Sequence, residues 1–270
     1  MFMSQLRSKE FVIDDSNFHL VAGEGLQEAK NGMRGFKPRD FAKCPFGSMP
    51  HAPAFPKDQL IPRSEWTDRI EEMERTKTRL SDIVLQAGVP SMDQDQTNYC
   101  WTNALVTAIH AIRARQGLPY IPLSAASVAA PIRGFTNEGG WGTEALEFII
   151  KNGICDEGIW PKNAIARKYY TDAAKANALL YRITEWNDLP PGVFDYVMTC
   201  CLLRKPVPIG LSWWGHEVCA FDGVVLGKMK FGIRPRNSWT DAYGDRGFFV
   251  LTESKATPDD ACAPGIVTAA

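Results

Sequence analysis

The rhythm of apolar and polar positions changes several times along the chain. Up to about residue 60 no period is sustained, because Pro38, Pro45, Pro50, Pro53, Pro56 and Pro62 interrupt any helical repeat and Gly23 to Gly35 carry little apolar patterning. This predicts an extended arm. In "SEWTDRIEEMERTKTRL", Trp66, Ile70 and Met73 recur at helical spacing behind Ser64 as a candidate cap, which predicts one surface helix. From Cys100 onward, Ala104, Leu105, Ala108, Ile109 and Ile112 share a helical face that ends near Gly117, with Pro119 and Pro122 beyond. "TEALEFIIKNG" predicts another helix, burying Leu146, Phe148, Ile149 and Ile150 and stopping at Gly153. Between 168 and 203 the pattern is mixed and places helices only loosely. After Pro206, "VPIGLSWW", "HEVCAFDGVVL", "KFGIRPRN" and "GFFVLTE" are short runs of Val, Ile, Phe and Trp bounded by Gly and Asn, which predict an antiparallel sheet. Helices first and strands afterwards predict an α+β protein of two lobes with a cleft where they meet.

Composition narrows the function classes. With 270 residues, 45% hydrophobic and 23% charged, the chain is globular material for one large domain or two small lobes. A formal net charge of -1 gives no global attraction to nucleic acid or to an anionic membrane surface. The first fifteen residues lack the apolar core of a signal peptide, and no later stretch has the roughly 18 uninterrupted apolar residues of a membrane span. A soluble protein of the reducing cytoplasm is expected. Its seven cysteines, Cys44, Cys100, Cys155, Cys200, Cys201, Cys219 and Cys262, lack the paired spacing of zinc or redox motifs, so neither metal, cofactor nor disulfide is expected.

Cys100 stands apart because it opens a helix, where the positive end of the macrodipole favours a thiolate. A free cysteine is more often an inert core group, and that alternative holds for the other six. The surroundings of Cys100 decide otherwise. Gln94 lies six residues ahead of the pair Cys100-Trp101; "NEGGWGTEALEFIIKNGICDEGIWP", "GHEVCAFDGV" with His216, "RNSWTDAYGDRGFFVL" with Asn237, Ser238 and Trp239, and the tail "PDDACAPGIVTAA" follow in order. This series resembles the papain-like cysteine peptidases over roughly residues 80 to 270.

The resemblance implies the two-lobed papain-like fold, with residues 1–79 as an N-terminal arm or prosegment carrying one helix and residues 80–270 as the peptidase domain. It implies peptide-bond hydrolysis by Cys100 as nucleophile, His216 as its acid–base partner and Asn237 as orienter of the imidazole. The oxyanion donors would be the Gln94 side chain and the Cys100 backbone N–H. Gly139, Gly140 and Trp141 would meet extended substrate backbone and wall a side-chain pocket, and Trp239 would shield the Asn237–His216 contact.

Several positions depart from the family pattern. Thr97 and roughly Asn137 stand where family members usually have bridged cysteines, Asn98 replaces a Gly, and Tyr99 and Glu217 replace small residues beside Cys100 and His216. Tyr243-Gly244 stands in for a Trp-Gly pair. The partner implied is a peptide or protein substrate. A second function class is an inactive papain-fold module in a larger assembly, for example a virion, anchored to an assembly partner through the arm. Acyl transfer to an amine would use the same residues. The proline-rich arm is expected to stay attached and to lie on the catalytic domain or on a partner, rather than to act as a cleaved helical prosegment.

Overall fold

The computed structural model describes residues 11–22, 34–265 and 267. The chain runs β1 (Val12–Ile13), α1 (His19–Ala22), α2 (Trp66–Arg75), α3 (Leu80–Gln86), α4 (Cys100–Arg115), α5 (Ala126–Ile132), α6 (Gly142–Asn152), α7 (Asp172–Ala178), β2 (Trp186–Leu189), α8 (Phe194–Leu202), β3 (Val207–Leu211), β4 (His216–Gly227), β5 (Lys230–Arg236), β6 (Val250–Thr252), α9 (Glu253–Ala256) and β7 (Asp260–Pro264). The strands form one sheet in the order β1-β6-β5-β4-β3-β7-β2. All pairings are antiparallel except β1 with β6, which is parallel because the arm, rather than a hairpin, supplies that edge.

The core divides as the two-lobed expectation requires. One cluster gathers α4, α5 and α6 through Leu105, Ile109, Val128, Leu146 and Ile149; a second lies on the sheet, with Val207, Ile209, Val218, Phe231 and Leu251; and a smaller third, with Leu80, Val84, Ala104, Ala108, Phe221 and Phe248, joins α3 and α4 to the sheet. Helix α4 is buried along almost its whole length, from Cys100 to Arg113, as befits a helix between two lobes. It ends where Gly117 takes φ +70°, and α6 ends at Gly153 with φ +75°, both as the glycine positions predict.

The arm departs from the plain extended segment predicted. Ile13, Val21, Phe55, Ile61 and Trp66 are buried in the same cluster as the sheet and α8, so residues before 80 complete the sheet lobe's core. Gly23 to Met33 lie outside the described residues. The "SEWTDRIEEMERTKTRL" stretch is two helices: the chain breaks at Lys77, φ +55°, and restarts at α3, where Asp82 Oδ2 accepts from the Arg79 backbone N–H at 3.2 Å. Ser64 does not cap α2; a 3-10 turn over Arg63–Glu65 precedes it and Glu65 occupies the cap position. Phe148 and Ile150 are only half-buried, since the apolar stripe of α6 is narrower than its composition suggests. In the mixed region lie α7, β2 and α8, and α5, with Pro131 in its last turn, was not anticipated.

Trp66 tests whether the arm belongs to the fold. Its ring is fully buried, meets Phe231 edge-on at 5.1 Å and donates Nε1–H to the Ile61 carbonyl at 2.9 Å. Trp66→Ala should cost about 3–5 kcal/mol of stability, read as a lower urea midpoint. A change below about 1 kcal/mol would show that this segment rests on the domain without supporting it.

Candidate active site

The Cys100 sulfur stands at the head of α4, the first residue after the Tyr99 cap position, where a backbone N–H has no partner inside the helix. His216 opens β4 across the cleft. Its Nε2 faces Asn237 Oδ1 at 2.8 Å, and the Ser238 N–H donates to the same Oδ1 at 2.8 Å. An oxygen that accepts from a main-chain amide is the carbonyl end of the carboxamide, so His216 Nε2 carries its proton and Nδ1 is left as the base. Nδ1 is buried with no hydrogen-bond partner among the described residues. Trp239 covers the pair, its ring 4.8 Å from the imidazole and tilted by 32°, and Tyr243 meets Trp239 edge-on at 5.1 Å. His216 and Asn237 are both fully buried.

Gln94 is fixed at both ends. Ser238 Oγ donates to its Oε1 at 2.5 Å, its backbone N–H donates to the Ser238 carbonyl at 2.9 Å, and its Nε2 donates to Thr97 O at 2.8 Å. Ser238 is thus a positioning residue in two directions, holding Gln94 with its hydroxyl and Asn237 with its amide. Its place between Asn237 and Trp239 was the only signal for it in the sequence.

The departures from the family pattern find physical explanations. Where bridged cysteines are usual, Asn137 Oδ1 accepts from the Asn98 N–H at 2.7 Å, Asn98 Nδ2 donates to Asn137 O at 2.9 Å and Asn137 Nδ2 donates to Gln96 O at 3.2 Å. Hydrogen bonds thereby join the two segments, and all seven cysteines are free. Asn98, standing where the family has a Gly, does not take the positive φ that a glycine allows. Tyr99 does not crowd the thiol: its ring is buried in the helical lobe and its hydroxyl donates to Thr136 O at 2.6 Å.

A stretch of the arm already lies in the cleft. Phe36 bridges Gly140 in parallel fashion, with Gly140 N–H donating to Gly35 O at 2.9 Å and Lys37 N–H to Gly140 O at 2.8 Å. On the other side the N–H groups of Gly35 and Phe36 both donate to Gly215 O at 3.2 Å, one residue before His216. The fit is close. A Cβ on Gly139 would come within 2.1 Å of Gly35 O, and one on Gly35, φ +136°, within 2.0 Å of Asn98 O. Arg34 O accepts from Gln94 Nε2 at 3.4 Å, so an arm carbonyl borders the Gln94 carboxamide. Trp141 is half-buried at the start of α6, with the Arg133 guanidinium 5.5 Å from its ring. Arg39 clamps the arm beyond Phe36: it forms a bidentate pair with Asp188 at 3.0 Å, lies 3.5 Å from Asp260, and has a fully buried side chain.

The thiolate–imidazolium pair expected from the helix head is disfavoured in this arrangement. Burial pushes the Cys100 thiol well above its ordinary value and the Glu217 carboxyl adds to the effect, while the N–H groups of Glu217, Trp101 and Phe36 partly offset it. Burial pushes His216 down to about 3; the Asn237 bond acts against this and the Arg34 charge acts with it. The macrodipole is outweighed because both groups are fully buried, His216 between the Trp214 and Trp239 rings at 4.8 Å each. Among the described residues no helix is long and apolar enough to cross a membrane.

The fold is the papain-like two-lobed fold, and in sequence the chain is related to the papain-like cysteine peptidases. It is 23% identical over 192 residues to probable cysteine protease RD21B of Arabidopsis thaliana, a match covering 63% of this chain and 41% of that relative's length. Among solved structures, xylellain, a cysteine protease from Xylella fastidiosa, matches 98% of this chain with 97% of its own, at 16% identity and TM-score 0.55. Digestive procathepsin L 3 of Tenebrio molitor matches 66% of each chain at 18% identity and TM-score 0.56. Bromelain of Ananas comosus, in complex with E64, matches 70% of this chain with 97% of its own at 21% identity and TM-score 0.54. No protein-family profile matches the chain.

Proposed function

We propose that this chain is a cysteine peptidase kept latent by its own arm. The observation that carries the reading is the His216–Asn237 pair at 2.8 Å, set across one cleft from a helix-head thiol and a doubly anchored Gln94. With the arm withdrawn, water returns to the cleft and the thiol proton passes to His216 Nδ1. The thiolate attacks a peptide carbonyl carbon, and the oxyanion is held by Gln94 Nε2 and the Cys100 N–H. The imidazolium then gives its proton to the leaving amine, and the C–N bond breaks to leave a thioester. Water, deprotonated by the same imidazole, hydrolyses the thioester and frees the thiol. Asn237 keeps the ring in register through both steps, and Trp239 keeps water from that contact. The substrate is an extended peptide, because the Gly139-Gly140 edge already pairs with extended backbone, that of the arm.

The test is an epoxide inhibitor of papain-like enzymes, applied to a variant with a loosened arm (Phe36→Ala), followed by peptide mapping. Labelling should fall on Cys100 alone, and Cys100→Ala should remove both labelling and hydrolysis, by about four orders of magnitude or more, with an unchanged melting temperature. Labelling that spreads equally over the other cysteines, with no peptide cut, would leave the inactive assembly module as the correct reading.

A further inference from the structure

The seat of the Phe36 side chain holds an acid that the proposed hydrolysis does not use. Gly210 of β3 is paired with Glu217 of β4 and with Asp260 of β7. Directly opposed residues on neighbouring strands project to one face of the sheet, so the two carboxyls flank the place where Gly210 has no side chain. The Phe36 ring fills that place: a Cβ on Gly210 would lie 2.0 Å from Phe36 Cε2. Gly142 closes the side next to Glu217, since a Cβ there would come within 2.4 Å of Glu217 Oε1.

The two acids are not equivalent. Asp260 has the Arg39 guanidinium at 3.5 Å. Glu217 is 3% exposed, and its Oε2 has no hydrogen-bond partner among the described residues. Burial and the Asp260 charge raise Glu217 well above the ordinary carboxyl range, because its charged form is disfavoured beside an aromatic ring and a second acid. An apolar seat for Phe36 has no need of that acid, and a buried unpaired polar atom works against stability.

We propose that Glu217 selects the substrate, the seat of Phe36 accepting a lysine or arginine side chain of an extended peptide once residues 34–37 withdraw. The methylene stem lies on Gly210 and the cation on Glu217, whose proton passes to solvent as the pair forms. Only residues 34–37 need to move. Arg39 stays clamped to Asp188 and Asp260, which leaves Glu217 as the unpaired acid in the seat. This assignment rests on the peptidase reading, and its test separates the two.

In the Phe36→Ala background, fluorogenic peptides would differ only by Lys or Arg against Leu or Phe at each position before the cleaved bond. At one position kcat/KM should favour the basic residue, and Glu217→Gln should lower that ratio at least tenfold, mostly through KM. An unchanged ratio, or a preference for the apolar residue when Glu217 is present, overturns the proposal while leaving the peptidase reading intact. If no peptide is cut, the peptidase reading fails, and protection of Cys100 from iodoacetamide still decides the pocket's chemistry. Benzoyl-arginine amide should then protect better than benzoyl-phenylalanine amide, and Glu217→Gln should abolish the difference; equal protection by the two amides overturns it.

Discussion

Phe36→Ala should accelerate alkylation of Cys100 by about two orders of magnitude, with half-buried Cys44 as the internal reference thiol. Phe36 is 6% exposed, and its ring supplies the apolar part of the arm's hold on the cleft, beside the hydrogen bonds to Gly140 and Gly215. Truncating a buried Phe costs about 3–5 kcal/mol when the site cannot collapse, and each 1.4 kcal/mol is a tenfold change in the open fraction. Here the loss falls on arm docking rather than on global folding, because Phe36 lies in neither lobe's hydrophobic core. Unchanged alkylation of Cys100, with intact folding, would show that the arm is held without Phe36 and that latency has another origin.

The same equilibrium should respond to pH, and the sign follows from His216. In the closed state its pKa is lowered to about 3, so between that value and the ordinary one near 6.5 the closed state binds fewer protons than a hydrated, open one. Acidification through this window therefore favours opening, by less than tenfold per pH unit. Glu217 opposes it, since its carboxyl is raised by burial and by Asp260 and holds its proton better when closed. Asp260, raised to about 6, remains against Arg39 in both states. In Glu217→Gln, which removes that opposing group, hydrogen exchange at the Phe36 and Lys37 amides, corrected for intrinsic rate, should rise as pH falls from 6.5 toward 4. Slower corrected exchange over that range would reverse the assignment.

Gln94→Ala, measured in the Phe36→Ala background, should slow acylation by about two to three orders of magnitude with little change in ground-state binding. Gln94 Nε2 is the side-chain donor that borders the arm carbonyl of Arg34, and Ser238 and Thr97 fix its carboxamide at both ends. A donor held in this way costs no reorganisation when charge develops on a carbonyl oxygen, which is why its removal affects the rate more than the affinity. A full rate in Gln94→Ala would remove it from that role. Because the variant also leaves Ser238 Oγ without its acceptor, the melting temperature should be recorded beside the rate.

Much of this protein was legible in residue order. Helix α4 with its Gly117 stop, α6 with Gly153 and the strands after Pro206 follow from periodicity and turn residues, which are local properties, whereas the grouping of Gln94, Cys100, His216 and Asn237 is what the family resemblance implies. What the sequence could not determine depends on distant segments meeting. Residues up to about 60 read as a proline-broken arm because their apolar positions have no period of their own; Ile13, Val21 and Phe55 find their partners on β3 to β6 and α8, well over a hundred residues away. The division of "SEWTDRIEEMERTKTRL" into α2 and α3 turns on one positive-φ residue, Lys77, which propensity does not mark. The burial of Cys100 and His216 was beyond the sequence for the same reason. A helix-head cysteine promises a thiolate when water is present, and only the tertiary structure shows both groups fully buried, making desolvation the larger effect.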